Sequence, residues 1–86
     1  MEIKRGDVYY KVNYKDIIKY EYFDKYPMNS CQDYHILINR TYQQPERFYK
    51  NELELLIERN IRTYEEAKAI FVADLRELVN DYEQRN

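Results

Sequence analysis

The chain has 86 residues, 14 Lys/Arg against 16 Asp/Glu, and 11 tyrosines among its hydrophobic complement. It has room for a single core, and much of that core must carry hydroxyls that need a partner or water. The lone Cys31 excludes an intramolecular disulfide, the opening Met-Glu-Ile-Lys-Arg does not resemble a signal peptide, and no apolar run reaches the length of a spanning helix. A cytoplasmic setting with no membrane contact is expected. Residues 1–50 hold nine Lys/Arg against seven Asp/Glu, and residues 51–86 hold five against nine. Neither half has the basic footprint of phosphate-driven binding.

Gly6-Asp7 predicts a turn, followed by a strand in which Val8, Tyr10 and Val12 alternate with Tyr9 and Lys11. Asn13 to Asp16 is short enough for a hairpin, and Ile17 to Phe23 alternates again, with Ile18, Tyr20 and Tyr22 on one side. Asp24 to Asp33 is rich in turn formers and reads as a loop. Tyr34 to Arg40 is the third strand, and Arg47-Phe48-Tyr49 follows the Gln43 to Glu46 turn as a short edge strand. Grouping by alternation puts Tyr10, Tyr20, Tyr22 and Tyr34 in the core with Val8, Val12, Ile18, Ile36 and Ile38. The opposite face then carries Tyr9, Lys11, Ile17, Lys19, Glu21, Phe23, His35 and Leu37.

Helical signals take over after Tyr49. Asn51 predicts an N-cap for a helix over 52–59 that buries Leu53, Leu56 and Ile57, and Asn60 suits its left-handed close. Thr63 and Glu66 form a capping box, opening a helix over 64–84. Its centre is Phe71, Leu75, Leu78 and Tyr82, flanked by Ile70 and Val79. That stripe is wider than one sheet face covers, so Ala69, Val72 and Ala73 are a candidate seam with the short helix or with a second copy in a homodimer. The expected fold is α+β: one domain over 1–86, with a small antiparallel sheet of three to four strands at about 7–49. A short helix and a long amphipathic helix packed on one sheet face complete it.

Three segments carry a resemblance. Gly6, Asp7, Tyr9 and Tyr10, then Phe48-Tyr49-Lys50 with Leu53, then Thr63-Tyr64-Glu65-Glu66-Ala67-Lys68 are similar to segments of small proteins encoded by bacteriophages and mobile elements. The resemblance implies an SH3-like or other small barrel followed by a helix, and a role in binding host machinery, defence systems included. A single glycine is few for a tightly curved barrel, so an open sheet is the expectation here.

No glycine-rich phosphate loop, His-Glu-x-x-His, paired-cysteine or Gly-x-Ser-x-Gly motif occurs, so an enzyme is not expected. Cys31-x-Asp33-x-His35 is too short of ligands for a metal site, and no cofactor is expected. The candidate contact residues are Tyr9, Lys11, Lys19, Phe23, His35 and Leu37 on an uncovered sheet face. A second set, Glu65, Glu66, Asp74, Glu77 and Asp81, lies on the acidic surface of the last helix, with Asp74 expected to accept from a tyrosine or a cation. The expected function is a non-enzymatic interaction protein of phage origin that binds and inhibits a bacterial defence or regulatory protein. The alternative is a nucleotide or nucleic-acid binder, with the sheet aromatics stacking on bases and the lysines meeting phosphates.

Overall fold

A computed structural model describes residues 3–27 and 33–84. The four strands are β1 (Val8–Val12), β2 (Ile17–Pro27), β3 (Asp33–Asn39) and β4 (Gln44–Tyr49), and they form one antiparallel sheet in sequence order. Two helices follow, α1 (Lys50–Arg59) and α2 (Tyr64–Gln84). The α+β expectation of three to four strands therefore stands, and the sheet has four. β2 is longer than expected, because Asp24 to Pro27 continue it across a bulge between Tyr22 and Asp24 and pair with Asp33 to Ile36. β4 likewise begins at Gln44, inside the segment expected to turn.

Local chemistry sets the element ends. Gly6 has φ +94°, a conformation that side chains disfavour, and its amide donates to the Tyr22 carbonyl at 2.9 Å. The turns after β1 and β3 lie at the same end of the sheet and are tied together. The Tyr42 hydroxyl donates to Asp16, the Lys19 amide donates to the Thr41 hydroxyl at 3.0 Å, and Arg40 pairs with Glu21 at 2.7 Å. Helix α1 starts two residues earlier than Asn51 predicts, with Tyr49 at the N-cap and the Glu52 carboxylate accepting from its amide at 3.5 Å. Asn60 closes α1 at φ 51°, as expected. At α2 the Thr63 hydroxyl accepts from the Glu66 amide at 3.2 Å, but the Glu66 carboxylate accepts from Arg62 rather than from Thr63.

The core lies between α1 and one face of the sheet. Tyr9, Tyr20, Tyr22, Leu37 and Phe48 meet Leu53 and Leu56, with Ile3, Ile18 and Ile57 at the margin. This division of faces differs from the expected one. Tyr9, not Tyr10, stands opposite Tyr20, and Leu37, not Ile36 or Ile38, stands opposite Tyr22. The cause is register: the four-residue link of residues 13–16 pairs Val12 with Ile17, so odd positions of β1 share a face with even positions of β2. Val8, Tyr10, Val12, Tyr34, Ile36 and Ile38 are half-buried on the other face.

The tyrosine hydroxyls of the core find partners. Tyr22 shares a hydrogen bond of 2.9 Å with His35 Nδ1, and the Tyr9 hydroxyl accepts from Arg62 at 3.4 Å. Burial pushes the Tyr20 phenol above its ordinary range, helped by the negative charge of Glu46 and a hydrogen bond to it. Glu46 also accepts from the buried Asn39 amide at 2.6 Å, and Asn39 Oδ1 accepts from the Tyr42 backbone at 2.9 Å.

Residues 61–62 close the free edge of β1. The Tyr10 amide donates to the Ile61 carbonyl at 2.8 Å, and Arg62 Nε donates to the Val8 carbonyl at 2.8 Å while its guanidinium sits over the Tyr9 ring. Passing that edge delivers the chain to the face opposite α1. There Tyr64 makes an edge contact with Tyr10, with ring centroids 6.3 Å apart, and α2 runs against β1 and β2.

Candidate functional site

Two surfaces remain after the sheet and helices have packed. The first belongs to α2. Ala67 is fully buried and Phe71 and Val72 are half-buried, but the same stripe then continues as Leu75, Leu78, Val79 and Tyr82, which are 40%, 57%, 54% and 71% exposed. Geometry accounts for this. A 21-residue helix is about 31 Å long, whereas the five residues of β1 span only about 17 Å. The helix therefore outruns the strand it starts on, and the molecule extends to 54 × 25 × 24 Å. A shallow groove lined by Val72, Leu75, Arg76, Val79 and Asn80 follows the stretch that has left the sheet.

Charge flanks this stripe unevenly. At about 100° per residue, Glu66, Asp74, Glu77 and Asp81 fall within one arc of about 80°, while Glu65 lies on the other flank with Glu83. All are exposed. Asp74 accepts from no tyrosine and meets no cation among the described residues, contrary to expectation. Ala69 and Ala73 are exposed and turn away from the stripe, and only Val72 of the expected seam borders it. The apolar line open to a partner is Leu75, Leu78, Val79 and Tyr82.

The second surface is the half of the sheet that α2 leaves open. Tyr26, Tyr34 and Tyr49 stand abreast across β2, β3 and β4. The Tyr26 and Tyr34 rings stack with centroids 5.8 Å apart and planes 20° from parallel, and the Arg47 guanidinium lies 4.8 Å from the Tyr34 centroid. The adjoining row is Asp24, Ile36 and Arg47. Both acids near this face are already paired, Asp24 with Arg5 at 3.3 Å and Glu21 with Arg40. Arg47 has no carboxylate partner among the described residues, so its planar face is held by Tyr34 and its N–H edge is available.

The expected contact residues on the sheet do not form one surface. Tyr9 and Leu37 are core residues, 5% and 0% exposed. His35 turns to the same side and is engaged by Tyr22, and Lys11 also shares that side. Lys19 pairs with Tyr10 on the opposite face, and Phe23 sits at the bulge beneath Arg5, 4.6 Å from its guanidinium. Cys31 lies outside the described residues, and among the described residues no three His, Cys, Asp or Glu side chains are placed to hold a metal ion. No described helix is long and apolar enough to cross a membrane.

Sequence patterning ends the second strand at Phe23 and so leaves Tyr26 in a loop, groups Tyr34 with the core, and places Arg47 and Tyr49 on a short edge strand without assigning them a contact. The available sequence signal is Tyr26 itself, a β-favouring residue three positions beyond Phe23. No protein-family model matches the chain, and no curated protein or solved structure is significantly similar to it.

Proposed function

We propose that this chain is a non-enzymatic interaction module whose docking element is the projecting half of α2. The observation that carries the proposal is the unbroken run of Leu75, Leu78, Val79 and Tyr82 along about two turns that no other part of the described chain covers. An isolated helix of about a dozen residues is marginal in water, and an apolar stripe gives it stability only when something packs on it. Its flank of Asp74, Glu77 and Asp81 selects an apolar or aromatic partner surface that also carries cations. The resemblance to phage-encoded proteins directs the search for a biological target to bacterial defence or regulatory proteins, with inhibition as the result of docking.

Photo-crosslinking tests the proposal. A benzophenone amino acid placed at Glu83, beside the stripe, should label a polypeptide in wild type and lose that label when Leu75 and Leu78 are both changed to Glu. Labelling that survives the double change would refute a docking role for the stripe.

The nucleotide or nucleic-acid reading is favoured by one feature, the stack of Arg47, Tyr34 and Tyr26, since open planar groups beside a cation suit a base and a phosphate. It requires salt-sensitive binding in calorimetry over a panel of oligonucleotides and cyclic nucleotides. Heats equal to dilution throughout that panel would remove it.

A further inference from the structure

The surface chemistry that α2 calls for exists within this chain. The projecting helix from Ala73 to Gln84 carries Asp74, Glu77, Asp81 and Glu83 against the single cation Arg76. The open half of the sheet offers the complement: three tyrosines in a row, Ile36 beside them, and Arg47, which has no carboxylate partner among the described residues. Within its own copy α2 touches β1 and β2 but neither β3 nor β4, so it does not cover this tyrosine row. We infer that the projecting half of α2 docks on the Tyr26–Tyr34–Tyr49 face of a second copy of the chain, with its acidic flank meeting Arg47.

This inference rests on α2 being a docking element and names the partner of that element. Docking one way only would leave one stripe and one sheet face uncovered at the ends of an open chain of copies. Two-fold symmetry closes the assembly, because each copy then gives its helix and receives its partner's. The exposed remainder of the four stripe side chains, three tyrosines and Arg47 amounts to roughly 700 Å² per copy, so a reciprocal dimer covers about 1,400 Å², within the range of stable interfaces. Helix-to-helix pairing uses charge less well. Laid antiparallel about Leu75 and Leu78, the two helices set Val72 against the other copy's Val79 on one flank, but Asp74 against the other copy's Asp81 on the other.

Light scattering on the full chain over a concentration series tests the inference. Wild type should approach twice 10.8 kDa at the upper end. Arg47→Glu should weaken association at least tenfold with an unchanged urea midpoint for the monomer, since Arg47 is exposed. Adding Asp74→Lys and Asp81→Lys to the Arg47→Glu chain should restore the dimer, a gain that a merely structural role for Arg47 does not explain. A wild-type chain that stays monomeric overturns the inference and leaves the docking reading to another partner. Arg47→Glu that dimerises like wild type while Leu78→Glu does not also overturns it, in favour of helix pairing. Dimers that survive Leu78→Glu overturn the inference and exclude the stripe from the contact between copies; the loss of crosslinking at Glu83 decides separately whether the stripe docks on anything.

Discussion

Substitution of Leu37 by Ala should be the most damaging single truncation in β3, with its neighbours costing about a third as much. Leu37 is fully buried beneath α1, among Tyr22, Phe48 and Leu53, whereas Ile36 and Ile38 are half-buried on the open face. Emptying a site of that kind costs about 3 kcal/mol, from lost transfer energy and the cavity left behind. Truncating a half-buried isoleucine that can refill with water costs about 1 kcal/mol. A domain of this size has a total stability of roughly 4–13 kcal/mol, so Leu37→Ala removes about a quarter of it or more. With a urea m-value of about 1 kcal/mol/M, the midpoint should fall by about 3 M for Leu37→Ala and by about 1 M for Ile36→Ala or Ile38→Ala. Equal losses at Leu37 and Ile36 would refute the register that places Leu37 opposite Tyr22.

Three further outcomes follow from named contacts. Asn39→Ala should cost about 2 kcal/mol in urea unfolding, because Asn39 is 2% exposed and its loss removes one hydrogen bond from the Glu46 carboxylate and the acceptor of the Tyr42 amide. Gln43 occupies a left-handed conformation at φ 57°, so Gln43→Gly should raise the thermal midpoint, by the equivalent of about 0.5–1 kcal/mol. The Tyr42 hydrogen bond is the first cause that holds Asp16 below its ordinary carboxylate value of 3.8, followed by the bond from Asn13. A depressed carboxylate stabilises the fold above its unfolded value, and that contribution is lost as pH falls through the lower folded one. The same bond raises the Tyr42 phenol above 10, so its contribution is intact below pH 10 and is lost as pH rises through the raised value. Tyr42→Phe should therefore flatten the dependence of the urea midpoint on pH at both ends, and an unchanged profile would contradict the pairing.

Much of this architecture was legible because local rules agreed with one another. The glycine at residue 6, the alternation in β2, Asn60 and the Thr63 cap each mark an element end or face that the structure repeats. The faces themselves depend on more than alternation. Alternation tells which residues of one strand share a side, but only register tells which side of the next strand they join. The four-residue link between Val12 and Ile17 contains that information for β1 and β2 and sends Tyr9 inward and Tyr10 outward, while the separate pairing of Tyr22 with Leu37 sets the side of β3 and turns Tyr34 outward. The bulge at Tyr22 and Asp24 then changes the parity of β2, which alternation alone cannot register and which brings Tyr26 to the side of Tyr34. For α2, periodicity identified the stripe correctly but could not say how much of it would find sheet beneath it. Helix length against strand length decides that, and it leaves Leu75, Leu78, Val79 and Tyr82 without cover.

The claim that α2 changes from core to docking element partway along its length is tested most directly by amide hydrogen exchange, resolved along residues 64–84 at low and high protein concentration. Amides near Ala67 to Val72 should be protected at both concentrations. Those of residues 75–84 should exchange within seconds in the dilute monomer, as befits a short helix without support, and become protected as the copies associate. Strong protection of residues 75–84 in the dilute monomer, equal to that near Ala67, would contradict the account.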